Sequence, residues 1–160
     1  MDDAVAEGLI WTSSLLLIAV TIAIHAAGVV TIALVDVRVR KWAQARHSGT
    51  GHGIPIIIGV IAIAGTLLAM LHGTEAAIWA AAYLWLGAFN SAFDALLFSL
   101  CTITTYGGSG LVPGRPWLMM AALEAANGVL LFGISTAYMF AVLQIYWPLL
   151  SSPSPTGTPR

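Results

Sequence analysis

The residues whose types and spacing suggest chemistry lie in one short stretch after residue 103. Two threonines and a tyrosine are followed by three glycines within four residues, in the order Thr104, Thr105, Tyr106, Gly107, Gly108, Ser109 and Gly110. A segment so rich in glycine is not a lipid-facing helix, and irregular backbone at membrane depth is tolerated only where it is packed in protein or faces water. In a membrane protein this stretch is therefore predicted to be packed in protein or to face a water-filled pathway.

Composition indicates that the chain is a membrane protein. Hydrophobic residues make up 59% of its 160 positions and charged residues 8%, against about 45–50% and about 25% in a soluble domain. The length allows one domain with about three spanning helices of roughly 20 residues each, so a pore needs several copies. A net charge of −1 gives no support for nucleic-acid binding, and a single cysteine, Cys101, excludes an intrachain disulfide and a cysteine-built metal site.

Three apolar segments are predicted to span the membrane, at residues 8–35, 54–71 and 117–147. A basic stretch, 36–52, separates the first two and holds four of the six Lys and Arg residues, which are Arg38, Arg40, Lys41 and Arg46. Cytoplasmic loops are enriched in such residues, so this loop and the C-terminus are predicted to be cytoplasmic and the N-terminus outside. The N-terminus is acidic, unlike a secretory signal, which predicts a retained anchor.

Two shorter helices are predicted between the second and third spans. Residues 72–75, His-Gly-Thr-Glu, interrupt the apolar run, and the aromatic-rich residues 76–89 suggest a helix at the outer headgroup level, with a full third span as the alternative. Residues 91–94 have the S-x-x-D form of a capping box, and a short apolar helix follows to about residue 102. At roughly 1.5 Å per residue this helix is too short to cross a bilayer of roughly 30 Å, so it is re-entrant or buried in protein.

The order of these elements resembles the pore module of potassium channels. Residues 94–113, DALLFSLCTITTYGGSGLVP, are similar to that family's pore helix and filter, whose usual form is close to D-A-x-Y-F-S-x-x-T-x-T-T-x-G-Y-G-D-x-x-P. The continuation to residue 144, with ALEAANG at 122–128, is similar to small bacterial two-transmembrane ion channels. The resemblance has weaker support back to residue 54, and the first helix falls outside the minimal module.

The resemblance implies an all-α membrane protein with three transmembrane helices plus a re-entrant pore helix and filter loop, assembled as a homotetramer in the lipid bilayer. Residues 1–53 are then an N-terminal helix with its loop, 54–147 the pore domain and 148–160 a disordered tail, in the plasma membrane, the inner membrane of a bacterium. The implied function is conduction of monovalent cations, K⁺ or Na⁺. Pore-helix C-termini favour a cation, and filter carbonyls replace its water shell. No other cofactor or metal is expected beyond permeant cations at Thr105, Tyr106, Gly107 and Gly108.

The filter departs from the family's pattern. Aligned without gaps, Gly108 stands where the family has tyrosine, Ser109 where it has the second glycine and Gly110 where it has aspartate. Serine is disfavoured where φ is positive. These departures predict a weakly selective filter, a different ion or a wider mouth, and not strict potassium selectivity. A gapped register that aligns Tyr106 with the family's tyrosine needs two extra residues before Pro113 and ranks lower.

Several residues around the filter have predicted supporting roles. The resemblance implies that Glu124 braces the pore helix, with ion binding as the second possibility, because ionisable groups in membrane helices face protein or water. Asp94 is predicted to cap the pore helix, and Trp117 to be an interfacial anchor or part of a ring beside the filter. Gly128 is either the hinge of a gate or a small residue that allows close helix packing. The side chain of Tyr106 points either behind the filter or into the pathway.

His25 and His72 invite a haem interpretation, which their predicted depths argue against. His25 is placed toward the inner end of the first span and His72 at the outer end of the second, where it and Glu75 are predicted to lie at the outer surface. No enzymatic constellation is expected, so the protein is predicted not to be an enzyme. The alternative to a channel is a non-conducting or regulatory membrane scaffold, which Ser109 in a glycine position favours.

Overall fold

The structure, a computed structural model, describes residues 3–46 and 53–151. Its elements are helices, which are α1 (Asp3–Arg46), α2 (Gly53–Trp85), α3 (Ala92–Ile103) and α4 (Leu118–Ser151), with a 3₁₀ turn at Arg115–Trp117. No β-strand occurs in these two ranges. Three stretches are long and apolar enough to cross a membrane, which are Glu7–Val39, Ile57–Trp85 and Arg115–Trp147. The prediction of an all-α protein with three helices long and apolar enough to span a membrane is therefore confirmed.

α1 extends beyond its predicted end into the basic stretch. Residues 36–46 were predicted as part of a loop, but they continue the helix to Arg46. Hydropathy marks where an apolar span ends, whereas a helix ends where its backbone meets a breaker, and no Gly or Pro occurs between residues 29 and 48. The rest of the predicted loop, 47–52, lies outside the described residues.

α2 is one continuous helix, which corrects the predicted break at residues 72–75. Neither a separate interfacial helix at 76–89 nor a further span is formed, because α2 runs through to Trp85. The polar residues His72 and Glu75 are buried against α1 and α4, so they do not end the helix at a water interface. Trp79 and Tyr83, which were predicted at headgroup level, are fully buried, and Trp85 is the exposed member of the three.

α3 begins at a serine cap, as the pattern at 91–94 predicts. Ser91 is the N-cap, and its hydroxyl accepts a hydrogen bond of 3.3 Å from the backbone N–H of Asp94. Asp94, which was predicted to cap the helix, lies in its first turn, three residues after the N-cap, where its negative charge stabilises the helix N-terminus. The helix has 12 residues and buries Phe98 and Ile103 in a core shared with Trp79 and Tyr83 of α2.

α4 follows the 3₁₀ turn and continues into the predicted tail. Trp117 is half-buried against the main core, and its backbone N–H donates to the carbonyl oxygen of Gly114 over 2.9 Å. The helix extends to Ser151, so the start of the predicted tail 148–160 is helical. Residues 152–160 lie outside the described part of the chain.

Candidate functional site

The segment predicted as a filter begins at the end of α3, which contacts α4 about a third of the way along that helix. Ile103, the last residue of α3, is fully buried, and its carbonyl oxygen faces Gly128 so closely that a Cβ at residue 128 would overlap it. Gly128 lies ten positions after Leu118, or about 15 Å along α4 at 1.5 Å per residue. Residues 104–114 then lead back to the 3₁₀ turn before α4. The close contact gives Gly128 a packing role, the second of the two that the sequence left open.

The backbone of this segment has free carbonyl groups. Residues 104–108 and 110 are exposed, and in the described part of the chain no carbonyl oxygen of residues 104–110 accepts a hydrogen bond. The N–H of Gly107 donates to the carbonyl of Cys101 over 3.1 Å, which folds the segment over the end of α3. Carbonyl oxygens without protein partners bind water or a cation.

A threonine occupies a position at the end of α3 that usually favours glycine. Thr104 is the C-cap with φ −83°, and the next residue, Thr105, has φ 57°. The left-handed conformation after a C-cap is normally taken by Gly, since β-branched residues are strained there. Gly107 and Gly110 also have positive φ. Of the described residues other than glycine, Thr105 is alone in having a positive φ. Ser109 therefore does not have the strained backbone that was predicted for a serine in a glycine position of the filter.

Replacing Thr105 by glycine is expected to relieve this strain. A left-handed conformation costs a non-glycine residue about 1–2 kcal/mol. In Thr105→Gly the relief of this strain offsets the greater conformational entropy that glycine gives the unfolded chain. Thr104→Gly is the matched control, since Thr104 has a right-handed φ and its hydroxyl donates to the carbonyl of Leu100 over 2.6 Å. Thermal unfolding in detergent should rank Thr105→Gly above Thr104→Gly in stability. The reverse order would contradict the strained conformation.

Tyr106 lies at the surface of the segment, over Gly108. Its side chain is 74% exposed, and its ring occupies the space that a Cβ at residue 108 would need. Glycine at 108, where the potassium-channel pattern has tyrosine, therefore accommodates the neighbouring ring. The side chain of Tyr106 therefore does not pack into the hydrophobic core of the subunit.

Glu124 connects α3 to α2 and α4. Its Oε2 accepts a hydrogen bond of 2.8 Å from the Tyr83 hydroxyl, and its Oε1 lies 2.5 Å from the Ser99 hydroxyl. Ser99 also lies 2.8 Å from the carbonyl oxygen of Ala76. Glu124 is fully buried and both carboxyl oxygens have partners, which is the geometry that a brace for α3 requires.

A second polar cluster joins α1 to the other two long helices. Nδ1 of His25 lies 2.7 Å from Oε1 of Glu75, and Nδ1 of His72 lies 3.3 Å from Oε2 of the same carboxylate. Ser135 of α4 closes the ring, with its Oγ 3.1 Å from Nε2 of both histidines. One helical turn earlier on α1, Thr21 accepts a hydrogen bond of 2.8 Å from the Asn127 amide.

This cluster corrects the predicted depths of the two histidines. His25 lies 21 residues before the end of α1 and His72 lies 19 residues after the start of α2, so the two residues are level. Their ring centroids are 5.0 Å apart, and Glu75, predicted at the outer surface, is fully buried between them. Ser135 and Glu75 fill the space between the rings on either side, so no haem fits between them.

Comparison with protein-family models, with curated proteins and with solved structures finds no match to this chain. None of these comparisons identifies a potassium-channel pore module, so the resemblance of residues 94–144 stays a prediction from the sequence.

The structure brings together some of the predicted residues and separates others. Residues 104–110 are contiguous at the end of α3, and Glu124 lies one helical turn before Gly128 on the face that contacts α3. Trp117 lies in the 3₁₀ turn that follows residues 104–114, at the end of this connection that leads into α4. The sequence analysis missed Ser135 and the convergence of His25, His72 and Glu75. A signal existed, because the polar residues Ser14, Thr21 and His25 recur on one face of α1 and all are buried.

Proposed function

We propose that this chain is the subunit of a pore-loop cation channel, in which several copies surround a water-filled path lined by residues 104–110. The observation that carries the proposal is a run of exposed, irregular backbone with unbonded carbonyl oxygens that begins about 15 Å along a membrane-spanning helix. Lipid cannot satisfy such carbonyls, whereas water and cations can. Around a fourfold axis the segments of four subunits would enclose a common path.

The packing of α3 supports the same proposal. Its C-terminus carries partial negative charge, and the helix is held at depth by Glu124 and by its contact with Gly128. A buried short helix fixed in this way directs its negative end toward the proposed path and favours cations. The altered filter makes monovalent cations such as K⁺ and Na⁺ the proposed ions, without strict potassium selectivity.

A proposed orientation follows from charge. Arg38 and Lys41 lie in the last part of α1, and their positive charge supports a cytoplasmic location for this end of α1 in a bacterium. The N-terminus and the connection between α2 and α3 are then outside, so α3 enters the membrane from the outer face.

Flux into liposomes tests the proposal. Purified protein should admit Na⁺, K⁺ or Rb⁺, and Gly107→Asp should change the flux several-fold, because one carboxylate per subunit is added to the path. Gly87→Asp is the matched control, since Gly87 also has a positive φ and space for a side chain but lies in the turn after α2. Absence of flux, or equal effects of the two variants, would contradict the channel and favour a non-conducting scaffold.

A further inference from the structure

The ring formed by His25, His72, Glu75 and Ser135 lacks one positive charge. Nδ1 of His25 and Oε1 of Glu75, 2.7 Å apart, require a proton between them. If His25 carries that proton on Nδ1, a neutral ring has an unprotonated Nε2, which accepts the single proton of the Ser135 hydroxyl. The Oγ of Ser135 then accepts from Nε2 of His72. Nδ1 of a neutral His72 is left without a proton.

Two buried electron-pair donors consequently face each other. Nδ1 of His72 lies 3.3 Å from Oε2 of Glu75, within ion-pair distance, yet neither atom has a hydrogen bond in the described part of the chain. Glu75 is fully buried and His72 nearly so. Unpaired polar atoms of this kind are costly inside a protein, and more so when one belongs to a carboxylate. A cation between the two atoms would remove that cost.

We infer that His25, His72 and Glu75 form a binding site for a divalent transition-metal ion of the Zn²⁺ class. The three side chains offer ligand atoms that all lie within 4.8 Å of one another. Tetrahedral ligands at about 2.0–2.1 Å from Zn²⁺ are roughly 3.3 Å apart, which matches the 3.3 Å between Nδ1 of His72 and Oε2 of Glu75. Nδ1 of His25 lies 2.7 Å from the other carboxylate oxygen, Oε1. Two imidazoles and a carboxylate are donors that Zn²⁺ and its first-row neighbours prefer.

Ser135 supplies the outer partner that metal-bound histidines need. When both Nδ1 atoms bind the metal, both Nε2 atoms carry protons and donate to the two lone pairs of the Ser135 oxygen, 3.1 Å from each. The His25 proton moves from Nδ1 to Nε2, so the proton count of the ring is unchanged. The serine proton can turn to a backbone carbonyl one turn earlier on α4. Such a metal ion joins α1 to α2 and is held from α4.

This site is independent of the proposed channel function, since none of its ligands lies in α3 or in residues 104–110. Metal binding and ion flux are separate measurements, and either proposal can fail without the other. The site would add a fixed link between the first helix and the helices that carry the proposed pore.

Metal titration of the full chain tests the inference. The chain should carry a tag without histidine and the substitutions His47→Ala and His52→Ala, so that His25 and His72 are its two remaining histidines. In detergent, calorimetry and elemental analysis should find one Zn²⁺ per chain, and Co²⁺ should give visible absorption bands of a four-coordinate site with three protein ligands and one water. Saturating Zn²⁺ should raise the thermal midpoint.

Variants then locate the bound ion. His72→Ala and Glu75→Gln should abolish one-to-one binding, and Ser135→Ala should weaken it about 10–100-fold. Thr74→Ala is the control, since Thr74 is exposed on the same helix and its hydroxyl donates to the carbonyl of Met70, away from the cluster. Unreduced affinity in folded Glu75→Gln would overturn the site. Absence of both Zn²⁺ binding and Co²⁺ bands in the parent chain would overturn the site whatever the variants do. The missing positive charge would then be a proton between Nδ1 of His72 and Oε2 of Glu75.

Discussion

Gly128→Ala is expected to lower the thermal midpoint of the detergent-solubilised protein by about 2–12 °C and to abolish cation flux. The added Cβ would overlap the carbonyl oxygen of Ile103 and lie 2.8 Å from its carbonyl carbon. These are backbone atoms at the buried end of α3, so they cannot rotate away as a side chain would. Overpacking of this kind costs about 1–3 kcal/mol, and each kcal/mol is worth about 2–4 °C in a chain of this size.

Gly133→Ala is the control for this substitution. Gly133 lies five positions later on α4, and a Cβ there has no neighbour within 4 Å inside the subunit. Alanine favours a helix more than glycine does, by about 1 kcal/mol, so Gly133→Ala should keep or raise the midpoint. If Gly128→Ala kept the midpoint of the parent protein but altered the open fraction of single channels, Gly128 would act as a gating hinge and not as a packing contact.

Glu124→Ala is expected to destabilise the protein strongly, whereas Glu124→Gln should leave most of its stability. Alanine removes the partner of the Tyr83 hydroxyl and one partner of Ser99, and an unsatisfied buried polar group costs about 1–3 kcal/mol. Glutamine keeps the volume and the network. Its carbonyl oxygen accepts from Tyr83, and its amide donates to Ser99, which donates to the carbonyl of Ala76.

The same pair of variants separates the two roles considered for Glu124. Under the bracing role, thermal stability and flux fall together in Glu124→Ala and are both retained in Glu124→Gln. If the carboxylate instead bound ions in the path, Glu124→Gln would keep the thermal midpoint and change the flux or the ion preference. Tyr83→Phe offers an independent check, since it removes one hydrogen bond to Oε2 and should lower stability less than Glu124→Ala does.

Local pattern determined the membrane class, the three spans and the short capped helix. Each depends on a property of neighbouring residues, such as an apolar run of sufficient length or a serine three residues before an aspartate. The resemblance to a pore module is also a local pattern, and it singled out residues 104–110 without establishing that they face a shared path. It also anticipated a structural partner for Glu124, although not that Tyr83 and Ser99 supply it.

Only the tertiary structure decided where the polar residues of the long helices find partners. The polar stretch at 72–75 resembles the end of a span, but the helix continues through it. His72 and Glu75 are buried there because His25 and Ser135, distant in sequence, provide the polar contacts that water would otherwise provide. Likewise the role of Gly128 depends on a carbonyl group 25 positions earlier in the chain. Hydropathy measures whether an isolated residue prefers water or lipid. When a polar side chain has hydrogen-bond partners on neighbouring helices, those partners take the place of water. The partners are distant in sequence, so no local pattern predicts them.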